Sequence, residues 1–132
     1  IAAEPEVQAV APAMATRLIR PTAESKGTGE VWGVDAVGAL SSDFTGRGAR
    51  VAVLDTGIDA SHPAFAGVQI EQRDFSGDGD GDRQGHGTHC AGTIFGRDVD
   101  GLRIGVAPGV EHAIIGKVLD DRGGGDSQML VE

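Results

Sequence analysis

Residues 51–63 of the chain read VAVLDTGIDASHP, and residues 85–93 read GHGTHCAGT. The first four residues of the earlier stretch are all apolar, a pattern typical of a strand that is buried on both faces of a parallel sheet. The apolar run stops at Asp55. Because ligands of open α/β sheets bind beyond the carboxyl ends of the strands, Asp55 occupies a position where a functional residue is expected.

The residues that follow predict a helix and then a second strand. Apolar residues recur at helical spacing between residues 88 and 95, and residues 113–119 form another mostly apolar run. A strand, a helix and a strand in this order form a βαβ unit with parallel strands. We therefore expect an α/β fold, with a parallel sheet flanked by helices.

The N-terminal part of the chain gives weaker signals. Residues 1–29 show no sustained periodicity and end in the polar stretch ESKGTG, so we expect an extension or linker there. Residues 30–132 are expected to form one structural unit. Within it, helix-like spacing predicts a short helix before the first strand, with apolar positions at Trp32, Ala36, Val37 and Leu40.

Composition excludes several classes of partner. The formal net charge is -9, and no basic stripe is available to neutralise phosphates, so neither nucleic acid nor an anionic membrane is expected. No apolar run approaches the roughly 20 residues of a membrane helix. The 22 glycines indicate that loops carry the function. The only cysteine, Cys90, cannot form a disulfide within the chain.

The predicted fold brings two titratable residues to one edge of the sheet. Asp55 follows the first strand, and His86 opens the predicted helix 31 residues later. A buried carboxylate can accept the Nδ1 proton of an imidazole, which leaves Nε2 free to take a proton from a nucleophile. The pair therefore predicts a general base with its orienting carboxylate.

At these residues the chain resembles the subtilisin-like serine peptidase family. Residues 51–63 resemble its aspartate motif and residues 85–93 its histidine motif, and the resemblance extends over about residues 31–132. It implies an incomplete subtilisin-like domain in which Asp55 orients His86 in an Asp-His-Ser triad that hydrolyses peptide bonds. The serine motif lies later in the family than residue 132, so these residues alone are expected to be inactive without the rest of that domain. The resemblance also implies an extracellular location.

The same resemblance points to a substrate strand. In the family the segment after the second strand lines the substrate cleft, and here it contains Gly123, Gly124 and Gly125. These glycines are expected to leave backbone groups free to pair with an extended polypeptide substrate. Ser127 follows them, but it lacks the Gly-Thr-Ser context of the family and is not expected to replace the missing nucleophile.

A loop rich in carboxylates suggests a cation site. Four aspartates fall within nine residues, and they would repel one another unless solvated or bound to a hard cation such as calcium. A structural calcium ion is therefore one of two interpretations of this loop, a solvated loop being the other, and no cofactor is expected for catalysis. The aspartates are Asp74, Asp78, Asp80 and Asp82.

Other functions remain open at this point. Asp-Thr-Gly also marks aspartic peptidases, in which two carboxylates share a proton. His86 and His89 have the spacing of a zinc pair but lack the adjacent glutamate of zinc peptidases. Cys90 resembles a structural cysteine of the thermitase and proteinase K branches, so a nucleophilic role is not expected. A calcium-stabilised binding module without activity is the non-enzymatic alternative. No role is assigned to His62 or His112.

Overall fold

The computed structural model describes residues 5, 7, 9–19 and 31–131 of the chain. Two α-helices and five strands occur in these residues, together with the short 3₁₀ helix Pro63–Phe65. In chain order the elements are β1 (Ala15–Arg17), α1 (Trp32–Ala36), β2 (Arg50–Asp55), β3 (Gln69–Asp74), α2 (His86–Phe95), β4 (His112–Lys117) and β5 (Gly124–Asp126).

The main sheet has three parallel strands in the order β2-β4-β3. This arrangement confirms the predicted parallel sheet and α/β class. Asp55 and Asp74 both pair in register with Lys117, so three charged residues end their strands at one edge. Strand β3 was not predicted, because its sequence QIEQRD is polar and only Ile70 marks an apolar face.

Helix α2 covers one face of the sheet and makes the core with it. Phe95 and Ala91 pack with Val53 and Ile115 from β2 and β4, and the Phe95 ring lies 5.4 Å from that of Phe65. These core residues are less than a tenth exposed. Such burial stabilises the fold by roughly 1.5–3 kcal/mol for each large side chain.

The opposite face of the sheet is open in the described part of the chain. Leu54 is 57% exposed and Ile114 is 45% exposed. The prediction that β2 is buried on both faces is therefore wrong for these residues, since α2 covers only the face that carries Val53 and Ile115.

The predicted helix near residue 32 is present but shorter than its apolar spacing indicated. It ends at Ala36, and the chain turns at Gly38, which has a left-handed φ of 72°. Beyond this turn the helical spacing no longer applies. Trp32 and Val37 are exposed, whereas Val34 and Ala39 are buried.

A second, two-stranded sheet joins the two ends of the described chain. Strand β1 pairs antiparallel with β5, with Ala15 opposite Asp126 and Arg17 opposite Gly124. Part of the predicted extension, residues 1–29, thus takes part in a sheet, while residues 1–4, 6, 8 and 20–29 of it lie outside the described residues. Among the described helices, none has the length and apolar character needed to cross a membrane.

Candidate active site

Asp55 is the last residue of β2, and the backbone of the next residue binds its carboxylate. Asp55 is 8% exposed, and its Oδ1 accepts a hydrogen bond of 2.7 Å from the backbone N–H of Thr56. Thr56 itself is completely buried. The carboxylate therefore has a fixed orientation at the edge of the sheet.

His86 is the first residue of α2, and its ring faces Asp55. The chain enters the helix through Gly85, whose φ of 94° is left-handed and suits glycine. Nδ1 of His86 lies 2.8 Å from Oδ1 and 2.9 Å from Oδ2 of Asp55. The contact expected from the sequence is present, and a proton on Nδ1 donated to Asp55 leaves Nε2 as the acceptor.

Cys90 lies one helical turn after His86. Its sulfur is 3.6 Å from Nδ1 and 3.8 Å from Nε2 of the ring. Burial, followed by the negative charge of Asp55, raises the pKa of the thiol to about 11. The thiol is therefore protonated at neutral pH, which disfavours a nucleophilic role.

Asp55, His86 and Cys90 form the one group of three possible metal ligands found among the described residues. His89 does not belong to it and is exposed on α2. In the described part of the chain, no group of three possible metal ligands contains both His86 and His89. Of the other histidines, His62 accepts the N–H of Ala64 through Nδ1, and His112 is half-buried in β4.

Side-chain acceptors bind the first three backbone N–H groups of α2. The backbone N–H of His86 donates to Gln84, that of Gly87 to the hydroxyl of Thr56, and that of Thr88 to Asp82. These are N–H groups that a helix leaves without intrahelical partners. Sequence reasoning missed the contributions of Thr56 and Asp82. The available signal for Asp82 was an aspartate three residues before Gly85, the glycine that precedes the helix.

The acidic loop does not gather its four carboxylates around one point. Asp74 accepts N–H groups from Ser76, Gly77 and Gly79, and the Ser76 hydroxyl as well. Asp82 turns instead toward α2. Among the described residues, no three of these carboxylates lie close together as possible metal ligands. Calcium binding by the four aspartates of this loop stays a prediction.

Hydrogen bonds explain why the carboxylates of Asp74 and Asp82 remain ionised at neutral pH. Burial raises the pKa of Asp82, but bonds from Thr88, Gly85 and Thr56 outweigh it and leave the pKa below its usual value. The same balance lowers the pKa of Asp74, with Ser76 and Gly79 as principal donors. N–H and O–H donors thus stabilise the negative charge of these two carboxylates.

A buried lysine fixes the other side of this loop. Lys117 is 2% exposed, and its ammonium donates to the Gly81 carbonyl oxygen at 3.2 Å and to the carboxylate of Asp121. Asp121 also accepts a hydrogen bond from Arg83 at 2.8 Å. The loop before His86 is therefore attached to the segment that leads into β5.

The predicted substrate glycines lie in and next to β5, but their strand already has a partner. Thr16 pairs with Gly125, and the N–H of Leu18 donates to the Gly123 carbonyl oxygen at 2.8 Å. At the other end, Ser127 donates its N–H to Met14, and its hydroxyl accepts the Met14 N–H. This edge thus accepts an extended segment, which here belongs to the same chain.

Comparison with known proteins agrees with this arrangement. Residues 46–131 match the model of the family described as Subtilase family. The chain is 43% identical over 100 residues to an intracellular serine protease of Paenibacillus polymyxa, covering 71% of this chain and 30% of the relative. It is 38% identical over 110 residues to proteinase R of Parengyodontium album, covering 76% and 26%.

A solved structure supports the same relationship. The crystal structure of a cold adapted subtilisin-like serine proteinase matches with a TM-score of 0.57 and 34% identity, covering 68% of this chain and 32% of the other. The chain therefore spans about a third or less of the length of these three proteins. With its family match, its relatives and its fold in agreement, the chain belongs to the subtilase family of serine peptidases.

Proposed function

We propose that this chain supplies the general base and its orienting carboxylate to a serine endopeptidase. The observation that carries the proposal is the contact of 2.8 Å between His86 Nδ1 and Asp55 at the carboxyl edge of the parallel sheet. His86 is the base, Asp55 fixes its tautomer, and a serine that lies C-terminal to residue 132 is the nucleophile.

The geometry suggests how the proton moves. Asp55 accepts the Nδ1 proton, so the lone pair of Nε2 faces away from the carboxylate. No oxygen or nitrogen partner of Nε2 is found among the described residues. When the serine hydroxyl attacks a peptide carbonyl carbon, Nε2 takes its proton, and the imidazolium that forms is stabilised by Asp55. The same proton then passes to the leaving amine.

The proposed substrate is an extended polypeptide bound along β5. Gly123, Gly124 and Gly125 present backbone groups rather than side chains, which suits pairing with a peptide of varied sequence. Strand β1 occupies this edge in the structure, so a substrate strand competes with residues 15–17. An extracellular location remains part of the proposal, although relatives named as intracellular proteases are among the matches.

Two alternatives predict different chemistry. An aspartic peptidase needs a second carboxylate that shares a proton with Asp55, whereas the groups beside Asp55 here are the His86 ring and the Cys90 thiol. A binding module stabilised by calcium needs neither His86 nor a nucleophile.

A fluorophosphonate probe on the full-length protein separates these functions. We expect covalent labelling of a serine, loss of labelling in His86→Ala, and full labelling in the matched control His89→Ala, because His89 is exposed on the same helix. Absence of labelling in the folded protein would support the binding module. If the His86→Ala variant is still labelled, His86 is not the base. If pepstatin blocks the peptidase activity, the aspartic peptidase is favoured.

A further inference from the structure

Asp82 connects the two elements that carry the candidate dyad. Its Oδ1 accepts the hydroxyl of Thr56 at 2.9 Å and the N–H of Gly85 at 2.8 Å. Its Oδ2 accepts both the N–H and the hydroxyl of Thr88, at 2.8 and 2.6 Å. One carboxylate therefore contacts the residue after Asp55, the residue before His86 and the first turn of α2.

Thr56 completes this connection on the strand side. Its hydroxyl donates to Asp82 and accepts the N–H of Gly87 at 2.9 Å, while its own N–H donates to Asp55. Because the hydroxyl proton goes to Asp82, its oxygen presents a lone pair to the helix. The bonds thus form a continuous path from the Asp55 carboxylate to the backbone on both sides of His86.

Asp82 is suited to this position by its charge as well as its shape. Helix N-termini favour negative groups, and hydrogen bonds to an ionised acceptor are stronger than neutral ones. Asp82 is half-buried and has a lowered pKa, as described above, so it is ionised at neutral pH. In the part of the chain that the structure describes, no hydrogen bond joins Asp82 to the side chain of His86 or Asp55, so Asp82 acts through the backbone and Thr56.

We infer that Asp82 is a positioning residue that holds the His86 ring in register with Asp55. The kinetic part of this inference rests on the proposed function, whereas the geometric part does not. Asp82 is therefore assigned here to the support of the candidate dyad through its hydrogen bonds to Thr56, Gly85 and Thr88.

Asp82→Asn is a sharp test because an amide cannot replace the carboxylate. Both oxygens accept backbone N–H groups, from Gly85 and Thr88, so either orientation of an amide places its NH₂ group against one of them. The matched control is Asp74→Asn. Asp74 lies in the same loop and accepts a comparable set of donors, but none from α2 or Thr56.

Two measurements on the full-length protein give distinguishable results. In the NMR spectrum, we expect the hydrogen-bonded Nδ1 proton of His86 to exchange rapidly with water in Asp82→Asn and to remain protected in Asp74→Asn. In peptide hydrolysis, we expect kcat to fall by about 10²-fold in Asp82→Asn, with little change in KM. The NMR measurement does not require activity, so it tests the positioning role of Asp82 even if the protein is not a peptidase.

Contrary outcomes are equally definite. A protected Nδ1 proton and normal kcat in Asp82→Asn would overturn the inference, as would equal effects of both substitutions, which would indicate loss of loop stability alone. If Asp82→Asn does not fold, Thr56→Val removes the other end of the same path without changing side-chain volume greatly. In that case Thr56→Val must lose the protected proton and Thr56→Ser must retain it, and any other pattern refutes the role of Asp82.

Discussion

The backbone of Gly87 lies directly against the backbone of Gly57. A β-carbon built at Gly87 would be 2.2 Å from the Gly57 carbonyl oxygen and 3.2 Å from the β-carbon of Asp55. The first turn of α2 can approach the end of β2 this closely only because Gly87 has no side chain. The distance between His86 and Asp55 therefore depends on a glycine that takes no part in the chemistry.

Gly87→Ala is expected to separate the helix from the strand. Alanine suits a helix better than glycine, so the clash with Gly57 must account for any loss. We expect a loss of about 1–3 kcal/mol in the free energy of unfolding, measured by urea denaturation, and a weakened His86–Asp55 contact. Gly92→Ala in the same helix is the control, since its β-carbon would meet only Ile104 at 3.9 Å. Equal stability of the two variants would contradict this explanation.

Local patterns were sufficient to predict β2, α2 and the Asp55–His86 pair. Each of these signals lies in adjacent residues. One is an apolar run that stops at an aspartate, and the other is a histidine between two glycines at the start of a helix. Strand β3 was missed because its QIEQRD sequence has almost no apolar signal. The pairing of β1 with β5 was missed because it joins residues more than 100 positions apart, such as Thr16 and Gly125.

The acidic loop shows why residue type alone did not identify the role of its members. The sequence allowed two interpretations of its four aspartates, a shared calcium site or a solvated loop. Left-handed glycines, Gly77 and Gly79, instead turn backbone N–H groups onto Asp74. Asp82 finds its partners on another element, including Thr56, which lies 26 residues earlier. The hydrogen-bond partners of Asp74 and Asp82, rather than the composition of the loop, distinguish the roles of these two residues.

Acid is expected to destabilise the fold through Asp74 and Asp82. Both have a pKa that is lower in the folded state than the ordinary value of about 3.9. The unfolded chain therefore binds more protons just below pH 4, and stability falls as pH drops through the folded pKa of each group. Above about pH 4 their contribution should be complete. Urea unfolding between pH 2 and 7 should give a shallower acid slope in Asp74→Asn; an unchanged slope would show that Asp74 is not responsible.

Cys90 is expected to react slowly with iodoacetamide despite its proximity to His86. With a pKa of about 11, only about 10⁻³ of the thiol is ionised at pH 8, and the alkylation rate should rise about tenfold for each pH unit up to pH 10. The same cysteine in urea should behave as an ordinary thiol with a pKa of about 8.5. A rate that levels off below pH 9 in the folded protein would indicate an activated thiol, and the nucleophilic role would have to be reconsidered.

Loosening β1 is expected to increase binding of a peptide substrate at β5. In an antiparallel ladder, hydrogen-bonded pairs alternate. Since Leu18 donates to Gly123 and Ser127 donates to Met14, Thr16 and Gly125 form the hydrogen-bonded pair between them. Thr16→Pro removes an N–H from this pair, whereas in Ala15→Pro the lost N–H points away from β5.

The binding of an extended peptide inhibitor to the full-length protein tests this difference. At about 1 kcal/mol per hydrogen bond, its dissociation constant should fall by about five- to tenfold in Thr16→Pro. It should remain unchanged in Ala15→Pro. Titration calorimetry measures both, and equal constants in the two variants would mean that β1 does not compete with the peptide.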